Sequence, residues 1–290
     1  MRTLWFILTF LIGIGAVPFE ASAADAAKVK GEIPRPDRTL IVIEENKSFK
    51  QIIGNMAAAY INTLANNGAL FTQSFAITHP SQPNYLALFS GKTHGVTDDR
   101  CPLSLSGDNL ATELKRRGLS FGIYSESMPS VGYVRCFREN YARKHNPAVN
   151  WQASNVSPEV NVPFDRFPSD HSELPTVSIV VPNQLNDMHD DEAPESIIRA
   201  DRWLKERLDS YVRWAASHNS LLILTWDEDD DSSDNRIATI FIGPMVKPGV
   251  YDIRINHYSV LRTILEMYDL QLLGETNRAT PIKEIWRRQD

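Results

Sequence analysis

Thr39-Leu40-Ile41-Val42-Ile43 is an unbroken β-branched and apolar run with no polar face. A strand with one face in water alternates; a run apolar on both sides must be covered on both, as in a parallel sheet layered between helices. Val177-Ser178-Ile179-Val180-Val181 repeats the signature, and "LSFGIYSE" (119–126), "SLLILTW" (220–226) and "RIATIFIGP" (236–244) read as further strands. Helical segments alternate with them: "FKQIIGNMAAAYINTLANNG" (49–68), "NLATELKRRG" (109–118), a long amphipathic stretch from about Pro194 to His218, and "HYSVLRTILEMYDL" (257–270). This order predicts an α/β fold with a mainly parallel central sheet and helices on both faces. No repeat or second core is visible, so residues 38–290 are expected to form one domain.

The N-terminus sets the expected compartment. Arg2 precedes the apolar run Leu4 to Ile12, and Ala21-Ser22-Ala23 follows. A basic start, a short apolar core and an A-x-A site describe a secretory signal peptide over 1–23, with 24–37 as a leader segment. The competing reading is a membrane anchor, but Gly13, Gly15, Pro18 and Glu20 cut the run short of the ~20 residues a bilayer needs. The chain is therefore expected to be exported, periplasmic or secreted, without a stable membrane anchor. Its net charge of −6 lacks the basic footprint of a nucleic-acid binder. In an oxidising compartment Cys101 and Cys136 are expected to form a disulfide, worth ~3–4 kcal/mol in the chain-entropy model; two separately buried thiols are the alternative.

Three of the strands run into polar clusters. The first ends at Glu44-Glu45-Asn46, the 177–181 strand at "PNQLNDMHD" (182–190), and the 220–226 strand at Asp227-Glu228-Asp229-Asp230-Asp231. Ligands of open α/β sheets bind outside the carboxyl ends of the strands, where carboxylates distant in sequence meet. Each cluster alone is consistent with a solvated loop. Together they point to a metal-assisted site. The acidic run fails as an EF-hand, having Ser232 and Ala238 where that loop needs Gly and Glu. Asp227 and Glu228 are read as ligands and Asp229 to Asp231 as exposed loop.

"THPSQPNYLALFSGKTHG" (78–95) offers Ser81 at a helix entry, either as a nucleophile beside anion-gathering N–H groups or as a plain polar cap. There is no G-x-S-x-G, Walker or H-E-x-x-H motif, and a serine esterase lacking its usual signature remains an alternative. Residues 158–175, rich in Pro, Asp and Ser, read as a long surface excursion.

Six ordered segments, "IEENKSF", "THPSQPNYLALFSGKTHG", "YARKHNP", "PNQLNDMHDD", "LTWDEDD" and "NHYSVLRTI", together resemble the phosphoesterase family of secreted acid phosphatases and non-specific phospholipases C, within the alkaline phosphatase superfamily. The resemblance spans about Arg38 to Tyr268. It implies an alkaline-phosphatase-like fold and a metal-dependent phosphomonoesterase, with a phospholipase C or other phosphodiesterase as the alternative and an inactive phosphate-binding relative behind it. It implies Ser81 as nucleophile and Glu45, Ser81, Asp227 and Glu228 around one divalent cation (Ca, Mg, Mn or Zn). Glu228 stands where the family often has Asp. The phosphate is expected to meet Asn46, Asn84 and His257. A histidinium, His145 or His189, would protonate the leaving group. Asp187, His189 and His257 are the residues implied for any second metal. His79, His94 and His171 are expected to be structural or superficial. The expected partner is a small phosphate ester, and the sequence does not give the oligomeric state.

Overall fold

The computed structural model describes Met1, residues 33–232 and residues 234–287. Apart from Met1, the expected signal peptide and the leader as far as residue 32 lie outside the described residues.

The chain order of strands is β1 (Arg38–Glu44), β2 (Ala69–Phe75), β3 (Phe121–Ser125), β4 (Phe137–Arg138), β5 (Tyr141–Ala142), β6 (Asn161–Pro163), β7 (Val177–Val181), β8 (Ser220–Trp226), β9 (Arg236–Ile242) and β10 (Gly249–Asn256). Eight of them form one sheet in the order β10-β2-β9-β8-β1-β7-β3-β6, while β4 and β5 pair separately as a small hairpin. β1 lies between β7 and β8, parallel to both. Among the described residues of the eight-stranded sheet, only β9 runs against its neighbours, antiparallel to β8 and β2. The fold is thus α/β with a mostly parallel central sheet.

The both-faces burial inferred from β1 is realised residue by residue. Ile41 and Ile43 enter one core, with α3 (Ser81–Ser90), α4 (Leu110–Arg116) and α6 (His257–Met267). Leu40 and Val42 enter the other, with α1 (Phe49–Ile52), α2 (Ala59–Asn67) and α5 (Glu195–Ala215). Period-two alternation sends successive side chains into different cores, which is why neither can be polar.

Three local readings change. The single helix expected over 49–68 is broken, because Gly54 takes a left-handed φ of +83° and the Asn62 side chain binds Gly54 N and the Ile52, Asn55 and Ala58 carbonyls. β2 and β10 were not anticipated: β10 is an edge strand, largely exposed, and carries Asp252 and Arg254 among its apolar residues. The 158–175 segment is not a free excursion. It supplies the edge strand β6 beside β3, and its Phe164 ring packs on Trp203 of α5.

Candidate active site

The three acidic strand ends are stitched together by backbone bonds that extend the sheet past its last residues. Glu45 N donates to Asp187 O at 2.7 Å, and Asp227 N donates to Glu44 O at 2.9 Å. Parallel neighbours in register therefore deliver Glu45, Asp187 and Asp227 to one spot, all buried.

Ser81 comes from the other side, at the first residue of α3. Pro80 is the N-cap, and no side chain caps this helix. Ser81 Oγ instead lies 3.1 Å from Glu45 Oε2 and 2.9 Å from Glu228 Oε1. The polar helix entry is not a cap. A hydroxyl has one hydrogen, so two carboxyls around it need a shared proton or a protonated partner. Burial pushes Glu228 up to about 7. Burial, then the adjoining Glu228 charge, pushes Asp227 up to about 7. Burial followed by the Asp227 and Asp187 charges holds Glu45 well above the usual carboxylate range. Tyr85, one turn along α3, donates its hydroxyl to Glu45 Oε1 and stacks on His145 at 5.4 Å between ring centroids.

His145 follows β5 and bridges the carboxylates, with Nε2 3.3 Å from Glu45 Oε2 and Nδ1 3.5 Å from Asp187 Oδ2. Burial, then the Lys144 and His189 charges, lowers its pKa well below the usual value, so the expected histidinium is not supported at this position. Lys144 Nζ donates to Asp99 Oδ2 at 2.8 Å and to His189 Nε2 at 3.2 Å. An ammonium can only donate, so His189 Nε2 accepts and its proton sits on Nδ1, which donates to Asp190 Oδ1 at 2.8 Å. Ligand atoms of Glu45, His145 and His189 lie within 4.8 Å of one another.

A divalent cation fits this donor set. Asp227 Oδ2, Asp187 Oδ2, Asn46 Oδ1 and His145 Nε2 are buried without a hydrogen-bond partner among the described residues. Orphaned buried acceptors cost on the order of 2–7 kcal/mol each, and lone pairs converging on one region are what a cation satisfies. Carboxylate oxygens suit Mg, Ca or Mn, and the imidazoles extend the choice to Zn.

Several assignments move. The Asn84 side chain is committed elsewhere: its Oδ1 accepts from Ile77 N and Thr78 N, and its Nδ2 donates to the Thr78 and Pro80 carbonyls, so the side chain shapes the loop that carries Ser81. Nor is the start of α3 an open anion nest. Gln82 N is taken by Asp99 Oδ1 at 2.9 Å, and residue 83 is Pro, without an N–H. His257 is buried behind Asp227, donating Nε2–H to its carbonyl at 2.7 Å, and does not join Asp187 and His189 in a second metal set. Asn46 N lies 3.3 Å from Asp227 Oδ1, and the residue takes a left-handed φ of 43°. Asp229 is buried rather than exposed, because its carboxylate accepts from Asp231 N and Asn235 N; Asp230 and Asp231 are exposed as expected.

His79 is the largest revision. Its Nδ1 is 2.7 Å from Glu228 Oε2 and its Nε2 is 3.3 Å from both Asp229 and Asp231. It belongs to the site, unlike His94, which bonds Ser90, and His171, which packs on Tyr211 and Trp214. Tyr85, Asp99 and Lys144 also belong to the site; each lies inside or beside one of the six ordered segments, yet only the folded geometry joins it to Glu45, Gln82 or His189.

Known proteins bear on this arrangement. The sequence signature of the phosphoesterase family matches residues 56–271. The chain belongs to the phosphoesterase family. It is a phosphoric ester hydrolase. A phosphatidylinositol-3-phosphatase of Mycobacterium tuberculosis (strain ATCC 25618 / H37Rv) is 47% identical over 276 residues, 94% of this chain and 88% of that protein. A phosphate-repressible acid phosphatase of Penicillium chrysogenum is 32% identical over 230 residues, 74% of this chain, and this phosphoesterase spans only 55% of the fungal protein. An alkaline phosphatase superfamily protein from Vibrio parahaemolyticus shares the fold, with a TM-score of 0.57 at 13% identity over 81% of this chain and 68% of its own. Cys101 and Cys136 are bonded, and no helix among the described residues is long and apolar enough to cross a membrane.

Proposed function

We propose that this phosphoesterase is an exported, metal-dependent phosphomonoesterase of acid phosphatase type that works through a phosphoserine on Ser81. The observation that carries the reading is the Ser81 hydroxyl set between the carboxyls of Glu45 and Glu228. Glu45, Asp227 and Glu228 would hold the divalent cation, with His145 and His189 as the nitrogen donors available beside Glu45. The cation supplies charge neutralisation for the phosphate and makes the serine hydroxyl more acidic.

The chain's own groups account for the remaining work. Glu228 accepts the Ser81 proton as Oγ bonds to phosphorus and the bond to the leaving oxygen breaks in line. Tyr85 and Asp187 hold Glu45 and His145 in place. Lys144, fixed by Asp99, brings a positive charge toward the phosphate. The leaving oxygen takes its proton from water, since the His189 Nδ1 proton is held by Asp190 and its Nε2 accepts from Lys144. Water then hydrolyses the phosphoserine, returning the proton to Ser81.

The mycobacterial relative's name supports a monoester over a diester and brings lipid-borne phosphate into the substrate class. A panel of phosphate mono- and diesters, run with divalent metal and with chelator, tests the reading. Metal-dependent release of phosphate from monoesters is expected, and diester cleavage alone would overturn it. Export predicts a mature N-terminus at Ala24, which the intact mass of protein recovered outside the cytoplasm reads directly.

A further inference from the structure

The segment that enters the β4–β5 hairpin, residues 134–138, presents Val134 and Phe137 to water while its backbone is held firmly, and β5 is buried. Phe137 is 60% exposed and Val134 is 52% exposed. Looseness does not explain it. Arg143, itself buried, donates to Val134 O at 2.5 Å and to Leu103 O at 2.6 Å, and its N donates to Cys136 O at 2.9 Å. Tyr133 donates its hydroxyl to Phe137 O and sets its ring edge-on against Tyr141. The disulfide from Cys136 to Cys101 fixes the hairpin to the loop that carries Asp99. The backbone under Val134 and Phe137 is thus fixed, so the two side chains form a preset exposed apolar pair rather than a mobile loop.

The charges beside these two side chains indicate an occupant. Arg135 and Arg138 flank Phe137, both exposed, on a chain whose net charge is −6. Arg138 pairs with Glu139 at 3.3 Å, and nearby Arg100 pairs with Asp98. Arg135 makes no ion pair among the described residues. An exposed aromatic and an exposed aliphatic side chain with Arg135 and Arg138 beside them match the interface of an anionic bilayer, where rings enter the headgroup layer and guanidinium groups meet phosphates. The hairpin is also wired to the catalytic centre. β5 leads directly into Arg143-Lys144-His145, and Gln184 N in the loop after β7 donates to Asn140 O at 3.0 Å.

We propose that the segment entering this hairpin, with Val134 and Phe137 exposed and Arg135 and Arg138 beside them, docks the enzyme on an anionic phospholipid surface and presents the site to lipid-borne phosphate. The inference rests on the phosphomonoesterase reading for its purpose, but its primary readout does not need turnover.

Sedimentation with vesicles of phosphatidylcholine containing phosphatidylserine tests it on the full mature chain. The wild type is expected to co-sediment, and Val134→Ser/Phe137→Ser to lose about tenfold or more in partitioning. Arg135→Gln/Arg138→Gln is expected to erase the preference over pure phosphatidylcholine and to flatten the salt dependence. Both variants should hydrolyse soluble p-nitrophenyl phosphate at the wild-type rate, which shows that they fold. With a phosphoinositide monophosphate in the same vesicles, only lipid phosphate release should fall. A wild type that ignores the vesicles, or a Ser/Ser variant that binds them equally, overturns the proposal. So does a wild-type dimer in light scattering that the Ser/Ser variant dissolves, since this segment would then pack on a second copy. A wild type that binds vesicles but turns over no ester would instead overturn the phosphomonoesterase reading and leave the docking surface standing.

Discussion

Ser81 Oγ and Glu228 Oε1 meet at 2.9 Å although 147 residues separate them in the chain. Nothing in either residue's local sequence demands this contact. It arises because β8 lies beside β1 in the sheet, and because α3 begins where both strands end. The Ser81 hydroxyl is thus committed to two carboxyls rather than to a helix cap.

The acidic run after β8 should divide into three behaviours. Asp227→Asn removes a ligand charge with little change of shape, so metal occupancy by elemental analysis and activity should fall together. Asp229→Ala should cost about 1–3 kcal/mol in denaturant unfolding, because the Asp231 and Asn235 N–H groups lose their acceptor. Asp230→Asn, exposed, should change neither by a measurable amount. If all three variants behave alike, the division is wrong.

His79 holds the face of Glu228 that Ser81 does not use. His79→Ala should lower kcat about tenfold to a hundredfold with a small change in KM, since it frees the group that receives the serine proton. His79→Gln keeps a polar group of similar reach and should recover part of the loss. Loss of stability with unchanged kcat in both variants would return His79 to a structural role.

The buried carboxyls make stability depend on metal and pH in a linked way. Burial raises the folded-state pKa of Glu45, Asp187, Asp227 and Glu228, the last two to about 7. The folded, metal-stripped protein therefore holds protons that the unfolded chain releases near ~4. Their contribution is complete below that pH and is lost as pH rises through about 7. Tm of chelator-treated protein should fall between roughly pH 5 and pH 8. Divalent metal should raise Tm more at the upper end, because it displaces those protons. A stripped protein whose Tm climbs over this range would contradict the assignment.

Much of this was legible in the sequence. The β1 run announced a doubly covered sheet, and the polar residues after β1, β7 and β8 marked its active end, because unbroken apolar runs and their terminations are local signals. What the sequence did not carry was contact between segments. His79 has no local context that distinguishes it from His94, and only the folded loop brings it to Glu228. Lys144 reads as a surface lysine until Asp99, fixed by the start of α3, is found beside it. Asn84 suggests a phosphate amide by its place after Ser81, but the loop consumes it. β10 escaped notice because an edge strand needs no continuous apolar run.

The central claim, that Ser81 carries the phosphoryl group, is tested most directly by rapid acid quenching of metal-loaded enzyme mixed with a labelled phosphate monoester, followed by peptide mapping. A labelled peptide covering Ser81 should appear within the first turnover and decay as phosphate is released. It should be absent from Ser81→Ala, which is expected to stay folded and bind inorganic phosphate while turnover drops by about four orders of magnitude or more. A folded Ser81→Ala variant with wild-type kcat, or label captured on a different residue, would contradict it.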